Sequence, residues 1–336
     1  MYIQPKARIH LLPALSLPIV VLLRRKPSKQ FHVMVWNTDT DKIEYGTWFV
    51  GKMYVERCDV SPDGQYLVYM AIGRDGKVWT GVSRPPFLTT LKHYNQVETY
   101  NGGGFFSPDG TLKWCFGQQS VELKSPAAKT LASEIAQLEQ KVNNWQPQNR
   151  KEKEEHANLR KKLLAKKRKL YNMNPNNATK LPFATQEHSF TGENGVLEER
   201  MKRDGWLREG EMPEAVKTYS TGADKTQCDW IVTNDPGWSL PLSPSITLRC
   251  FYEGYFSNGG YQYRFSIDQY PDLLKDGVSW ACRDSNGRLI VARNGAIEKY
   301  TIKDLAAQKP SFYLDLETLT PPVKPQKTNA NSQTPK

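Results

Sequence analysis

The fold is decided by Cys58–Met70, CDVSPDGQYLVYM, in which a turn signal precedes an apolar run. Pro62 presets φ at the first central turn position, Asp63 tolerates the next, and Gly64 supplies the positive φ that completes the turn. The apolar run after the turn is typical of a buried strand. The stretch therefore predicts a tight β-hairpin.

A second copy, Gly104–Phe116 (GFFSPDGTLKWCF), places its Ser-Pro-Asp-Gly turn 46 residues after the first. A degenerate third copy, Trp280–Ala292 (WACRDSNGRLIVA), keeps the apolar–turn–apolar order without the proline. A repeat of about 40–45 residues with four strands is typical of a β-propeller blade. We therefore predict an all-β, β-propeller-like fold of about five to seven blades, in a complete or incomplete ring. The alternative is that two unrelated hairpins share a turn sequence.

Other alternating runs predict the strands between these turns. Phe31–Trp36 and Ile43–Phe49 flank one turn, and Ser245–Tyr255 and Tyr261–Ile267 flank another. Phe312–Leu316 is expected to form the last strand and to close the ring against the N-terminal strand.

The Ser-Pro-Asp-Gly hairpins resemble the propeller repeats of TolB-type proteins. Closer similarity, to a group of uncharacterised bacterial proteins with such WD40-like repeats, is carried by Trp48–Gly64, Ser83–Thr89 and Gly102–Gly104. The resemblance covers mainly residues 8–116 and, more weakly, 200–300. It implies a propeller fold and carries over no functional residue. TolB-type proteins are exported to the periplasm, and we expect this chain to differ from them in that respect.

Residues 125–172 interrupt the β pattern. Ser125-Pro126 is a typical helix start, and apolar residues then recur at heptad-like spacing up to Trp145. A second helix is expected from about Arg150, so the segment predicts an antiparallel helical hairpin. The predicted organisation is N-terminal blades over 1–124, the hairpin insertion over 125–175, further blades over 176–319 and a disordered basic tail over 320–336.

The basic charge is concentrated on the insertion and the tail. The chain has a net charge of +11, of which residues 125–172 supply +7 and residues 320–336 supply +3, so the β body is nearly neutral. Ten residues of the second helix hold seven bases: Arg160, Lys161, Lys162, Lys166, Lys167, Arg168 and Lys169. Three interpretations stay open: a solvated helix face, a phosphate-binding arm for nucleic acid over 150–170, and a contact with an anionic membrane or an acidic protein.

Two other segments combine aromatic residues, arginine and rigid proline. Arg84 and Phe87 lie in Ser83–Phe87, and Trp238 ends Asp235–Trp238; both segments are predicted to be loops. Arg and Trp often anchor protein interfaces, so Arg84, Phe87 and Trp238 are candidate interaction residues. The alternative is that both segments pack against the β body.

No catalytic, cofactor or metal motif is present in the sequence. The five cysteines are scattered without a C-x-x-C pair, which predicts buried thiols in a reducing compartment. The turn Asn37–Asp41 mimics the start of a calcium loop, but Lys42 and Trp48 occupy the positions of the required glycine and glutamate. We expect no bound cofactor, and a hairpin turn at this point.

Leu11–Leu23 is the longest apolar run and resembles an export signal in having basic residues before it. It is too short to span a bilayer, Pro13 and Pro18 interrupt it, and basic residues rather than a cleavage site follow it. A strand over Ile19–Leu23 is the favoured interpretation. Export is not expected, and a cytoplasmic location is predicted.

These observations favour a non-catalytic scaffold that binds a macromolecule, most simply a protein, through its loops and its basic hairpin. A first alternative is a nucleic-acid-associated protein that grips phosphates with the hairpin. A second alternative is a propeller hydrolase or lyase whose polar residues converge on the central axis.

Overall fold

The protein is mostly β-structure, with 42% of residues in strands and 21% in helices. The computed structural model describes residues 5–26, 29–96, 99, 102–114, 126–172, 181–188, 194–211, 213–214, 216–219, 228–256 and 260–322. Within these ranges there are four sheets and four α-helices. The tail predicted over 320–336 lies outside the described residues from 323 onwards.

The first sheet joins two antiparallel meanders into one surface. Its neighbours follow the order β1-β2-β3-β4-β6-β7-β8, with β5 paired to β6. The long strand β4 connects the meanders because its first part pairs with β3 and its last part with β6. The strands are β1 (Arg8–Pro13), β2 (Ile19–Arg25), β3 (Gln30–Asn37), β4 (Lys42–Met53), β5 (Asp59–Val60), β6 (Leu67–Gly73), β7 (Val78–Ser83) and β8 (Thr90–Gln96).

Three more sheets follow in chain order. A small sheet holds β9 (Gly104–Phe106), β10 (Leu112–Trp114) and β11 (Thr185–Glu187), with β10 and β11 parallel. The next holds β12 (Leu207–Arg208), β13 (Val216–Tyr219), β14 (Cys228–Ile231), β15 (Trp238–Ser243), β16 (Ile246–Phe256) and β17 (Gly260–Ile267). The last is a meander of β18 (Val278–Arg283), β19 (Leu289–Arg293), β20 (Ala296–Tyr300) and β21 (Phe312–Asp315).

The repeated turns form the hairpins that the sequence predicts. The glycine N–H donates to the carbonyl three residues earlier in each copy, from Gly64 to Ser61 (2.8 Å), from Gly110 to Ser107 (2.9 Å) and from Gly287 to Asp284 (3.0 Å). All three glycines have positive φ, between 74° and 82°. The turns join β5 to β6, β9 to β10 and β18 to β19, each pair antiparallel.

The last sheet lies beside the first one. Strand β1 contacts β18, and the Ala7 N–H donates to Glu317 (2.8 Å). The buried guanidinium of Arg24 donates to the carbonyls of Leu316 (2.7 Å) and Glu317 (2.8 Å). The expectation that the last strand pairs with the N-terminal strand is wrong, because β21 pairs with β20 and the two ends meet through side chains instead.

The inserted helical hairpin is present and has its own apolar core. Helix α1 spans Pro126–Asn144 and helix α2 spans Arg150–Asn172. Their buried contacts are made by Leu131, Ile135, Val142, Leu163 and Leu170. The helices run antiparallel, since Lys166 on α2 pairs with Glu134 on α1 while His156 Nε2 lies 3.1 Å from the carbonyl of Val142.

Two short helices complete the described fold. Helix α3 (Gly195–Arg203) precedes β12, and α4 (Ile302–Ala307) begins with a capping box between Thr301 and Asp304. None of the helices in the described ranges is long and apolar enough to cross a membrane.

Candidate functional site

The bases of α2 divide into two groups. Lys166 pairs with Glu134, and Lys167 pairs with Glu139 at 2.5 Å, so these two lysines face α1. The remaining described side chains of the group are exposed: Arg160, Lys161, Lys162 and Lys169. The side chain of Arg168 lies outside the described residues.

The exposed bases do not share one face of α2. At about 100° per residue, Lys162 and Lys169 fall on one side of the buried Leu163, and Arg160 falls on the other. Lys161 lies on the side of the helix away from α1. The positive charge is therefore spread over several sides of α2. Only the narrow apolar stripe that contains Leu163 and Leu170 packs in the hairpin core.

Arg84 and Phe87 lie on the surface at a tight turn after β7. Phe87 is 51% exposed, and its N–H donates to the Arg84 carbonyl at 3.0 Å. The Arg84 guanidinium is 5.3 Å from the ring centroid of Tyr66 and 3.3 Å from its hydroxyl. Tyr66 lies two residues after Gly64 of the first Ser-Pro-Asp-Gly turn, so this pair of candidates is held next to that turn.

Trp238 does not lie in an exposed loop, and that prediction needs correction. It is the first residue of β15, the residue is 6% exposed, and it belongs to the main apolar core. The Arg208 guanidinium covers its ring at 5.5 Å. Pairing of β15 with β12 and β16 buries the indole, which leaves it unavailable to a partner.

A buried ionic cluster lies where β1, β5, β9 and α3 meet. Strand β5 contacts both β1 and β9, and α3 contacts β9. Arg203 of α3 pairs with both carboxylate oxygens of Asp59 and donates to the carbonyl of Phe106 at 2.7 Å. Asp59 also accepts the N–H of Phe106 at 2.8 Å, so one carboxylate links β5, β9 and α3.

Arg200, one helical turn earlier on α3, extends this cluster to β1. It donates to the carbonyl of Cys58 and, at 2.8 Å, to Nε2 of His10. Because arginine cannot accept, His10 carries its proton on Nδ1. Burial, with Arg200 and Arg8 nearby, holds the pKa of His10 well below its usual range, so the ring is neutral.

Asp204 completes the cluster at the end of α3. Its carboxylate accepts from Arg203 at 2.8 Å, yet burial raises its pKa to about 6, and the neighbouring Asp59 carboxylate adds to this effect. Two carboxylates thus share one guanidinium. The groups of the cluster bond mainly to each other and to the backbone, an arrangement that joins α3 to the first sheet and to the sheet of β9.

None of these residues was predicted as functional from the sequence. Glu198–Trp206 is short, highly charged and irregular, and it carries no recognisable motif. The available signal was the spacing of Arg200 and Arg203, which puts both on one helical face. Their partners at Cys58 and Asp59 are 142 and 144 residues away, and no local pattern reveals such a distance.

The calcium-like turn Asn37–Asp41 is a hairpin turn, as predicted. Asn37 Oδ1 accepts the N–H groups of Asp39 and Thr40, both at 3.0 Å. Asp41 pairs with Lys299 (2.6 Å) and Asp39 with Arg288 (2.7 Å). The acidic residues therefore tie the first sheet to the last one, and no cluster of metal-ligating side chains occurs among the described residues.

A cavity of about 60 Å³ lies at the end of the β body opposite the repeated turns. Strand β1 begins at this cavity with Arg8 and ends near the first turn. Just after the strand, the Ser16 N–H donates to the carbonyl of Pro62 in that turn. Charged side chains and tyrosines line it: Arg8, Arg25, Lys52, Glu56, Tyr54, Tyr255, Tyr261 and Tyr263. Linear motifs give no sign of it, since its residues come from five separate segments.

The three cysteines whose side chains lie in the described ranges are buried thiols. Cys58, Cys250 and Cys282 are free, and burial raises the pKa of Cys58 to about 12. A thiol that holds its proton so firmly is a weak nucleophile. Cys115 and the side chain of Cys228 lie outside the described residues.

No family model, no curated protein and no solved structure matches the chain. The resemblance to TolB-type repeats stays a prediction. Function therefore has to be argued from the sites themselves.

Proposed function

We propose that the protein is a non-catalytic interaction protein in which a propeller-like β body carries a basic helical hairpin that binds an acidic surface of a partner protein. The observation that carries the proposal is the set of exposed bases on α2: Arg160, Lys161, Lys162 and Lys169. Only Lys166 and Lys167 of the described bases in this run pair with acids of α1.

The propeller-like body is supported by the arrangement of its sheets. Three equivalent turns join paired strands, the first and last sheets adjoin, and β1, β5 and β9 come together around the arginines of α3. A β body tied together in this way can present loops and an insertion in fixed positions. Arg84 and Phe87 next to the first turn are a second contact surface in this proposal.

The electrostatic argument favours an anionic partner. The hairpin segment carries +7 while the rest of the chain apart from the tail is close to neutral, so an approaching acidic surface is attracted to the hairpin first. Exposed charges of this kind raise the association rate more than they deepen the final affinity.

Nucleic acid is the second candidate partner, favoured by the bases on more than one side of α2. Several phosphates could be neutralised at once, and counterion release would make binding strongly salt-dependent. Trp145 and Tyr171 are the only aromatic residues in residues 125–172, which disfavours stacking on single-stranded bases.

An axial hydrolase or lyase site receives less support. An axial site would require converging polar residues, and His10, Arg200, Arg203 and Asp59 do come together, but their polar atoms bond to one another and to the backbone. A substrate would have to break these contacts before it could reach them.

The test compares two variants of the full chain with equal changes in charge. One replaces Arg160, Lys161, Lys162 and Lys169 by Gln; the control replaces Arg74, Lys42, Lys303 and Lys309, which are exposed bases of the β body. Each protein is used in affinity capture from its native cells, and its binding to a random-sequence DNA duplex is measured by fluorescence anisotropy over a range of salt concentrations.

We expect a protein partner that the control retains and the hairpin variant loses, with little binding to DNA. DNA binding that falls steeply with salt and disappears in the hairpin variant would replace this proposal by the nucleic-acid one. A partner that both variants retain would move the binding site to the β body.

A further inference from the structure

The cavity at the end of the β body is lined by a buried acidic side chain, Glu56. Glu56 lies on a 3-10 turn (Val55–Arg57) between β4 and β5, and it is 8% exposed. Burial raises the pKa of Glu56, the positive charges of Arg8, Arg200 and Lys52 offset this only in part, and no basic side chain among the described residues lies within ion-pair distance of it. A buried carboxylate without an ion-pair partner costs stability, and natural proteins place such groups mainly at functional sites.

The wall around Glu56 is aromatic. Tyr263 packs edge-on against Trp280 with ring centroids 5.3 Å apart, and Tyr255 lies 5.1 Å from Tyr261. The hydroxyl of Tyr263 is buried and has no hydrogen-bond partner in the described part of the chain. Aromatic faces next to a carboxylate are suited to an ammonium group, which gains cation–π attraction as well as charge pairing.

Basic side chains border the same cavity. Arg8 donates to the Tyr261 carbonyl at 2.8 Å, and Arg25 lines the wall beside it. The Lys52 ammonium lies 4.4 Å from the ring centroid of Tyr54, so one tyrosine of the wall already holds a cation at its face. With three bases and one acid, the cavity can receive a negative group as well as a positive one, and guanidinium groups are suited to a carboxylate.

We propose that this cavity binds a small zwitterion, the ammonium–carboxylate end of a free α-amino acid. Glu56 and the tyrosine faces hold the ammonium, and the guanidinium groups of Arg8 and Arg25 hold the carboxylate. A cavity of about 60 Å³ accepts roughly five water-sized groups, which corresponds to the atoms of that end, and the side chain of the amino acid points outwards. This proposal is independent of the hairpin.

The test is calorimetric titration of the full chain with free amino acids that differ in side chain: glycine, phenylalanine, glutamate and lysine. Two analogues of phenylalanine remove one charge each, because the methyl ester lacks the carboxylate and 3-phenylpropionate lacks the ammonium. We expect saturable binding of at least one amino acid, and at least about tenfold weaker binding when either charge is absent, which corresponds to about 1.4 kcal/mol.

Two variants assign the binding to the cavity. Glu56→Gln keeps the shape of the side chain and is expected to lower the affinity for the amino acid at least about tenfold, while Glu44→Gln, at an exposed glutamate, leaves it unchanged. Circular dichroism and the midpoint of thermal unfolding verify that both variants fold.

The proposal is overturned if none of the four amino acids binds saturably. It is also overturned if 3-phenylpropionate binds as tightly as phenylalanine, which would identify a simple anion site. Undiminished affinity in a folded Glu56→Gln variant would remove the cavity from the binding.

Discussion

Glu56 and Asp59 are three residues apart and both are buried, yet their surroundings are opposite. Asp59 is fully buried and pairs with Arg203 through both oxygens, with the Phe106 N–H as a further donor. Glu56 faces the cavity and forms no ion pair within the described residues. Burial alone therefore does not separate a structural carboxylate from a binding carboxylate; the presence or absence of partners does.

The two carboxylates should respond to mutation in opposite directions. A paired buried charge becomes a liability only when its partner is removed. A buried carboxylate without an ion-pair partner already lowers stability. Its removal should therefore raise the free energy of unfolding, while any binding role is lost.

Replacement of Arg203 by Met should have the largest effect. It leaves Asp59 buried without its counterion, which should lower the free energy of unfolding by about 3–5 kcal/mol. Urea unfolding followed by fluorescence measures the loss. Lys202→Met, at an exposed neighbour on the same helix, is the control and should change the free energy by less than about 0.5 kcal/mol.

The double variant Arg203→Met with Asp59→Asn sharpens this result. The amide oxygen of Asn can still accept the Phe106 N–H, and position 59 no longer buries a charge without its counterion, so part of the lost stability should return. An Arg203→Met variant as stable as the original protein would mean that Asp59 is not held by this ion pair.

Asp204 should make the free energy of unfolding depend on pH, and this effect is expected to be of intermediate size. Burial raises its folded-state pKa to about 6 from an unfolded value near 3.8. The folded state then binds the proton more tightly, so stability falls as pH rises from about 4 to about 6, on the order of 2 kcal/mol in total. Asp204→Asn should remove this decrease from the curve of unfolding free energy against pH. An identical curve for the variant would contradict the shifted pKa.

Glu56→Gln should raise the free energy of unfolding at neutral pH by about 1 kcal/mol, because a buried carboxylate is replaced by a neutral amide. Burial raises the pKa of Glu56 in the folded protein, so its ionised form is the destabilising one. Below the unfolded pKa both states are protonated and the gain should disappear. Thermal unfolding at acid and neutral pH tests this, with Glu44→Gln as the control. A loss of stability at neutral pH would mean that the structure provides Glu56 with a partner.

The two carboxylates also show that local features could be predicted from the sequence and that long-range contacts could not. The turns at Ser61–Gly64 and Ser107–Gly110 were predictable because proline and glycine fix φ locally. The hairpin over 126–172 was predictable because its apolar spacing is local as well. Asp59 and Glu56 look alike in the sequence, and only the fold brings Arg203 to one of them from 144 residues away. Trp238 was misplaced for the same reason, since long-range pairing of β15 buries it.

The smallest effect is expected in the hairpin, where an ion pair is exposed to solvent. Lys166 and Glu134 are 28% and 46% exposed, and water and salt screen such pairs. A double-mutant cycle with Lys166→Gln and Glu134→Gln should give a coupling energy of about 0.5 kcal/mol. Hydrogen exchange of amides within 126–172 in the full chain measures it, because this readout reports the hairpin separately from the β body. A coupling energy above about 2 kcal/mol would make this exposed pair as strong as the buried pair of Arg203 and Asp59. Burial would then not explain why the Arg203–Asp59 ion pair is strong.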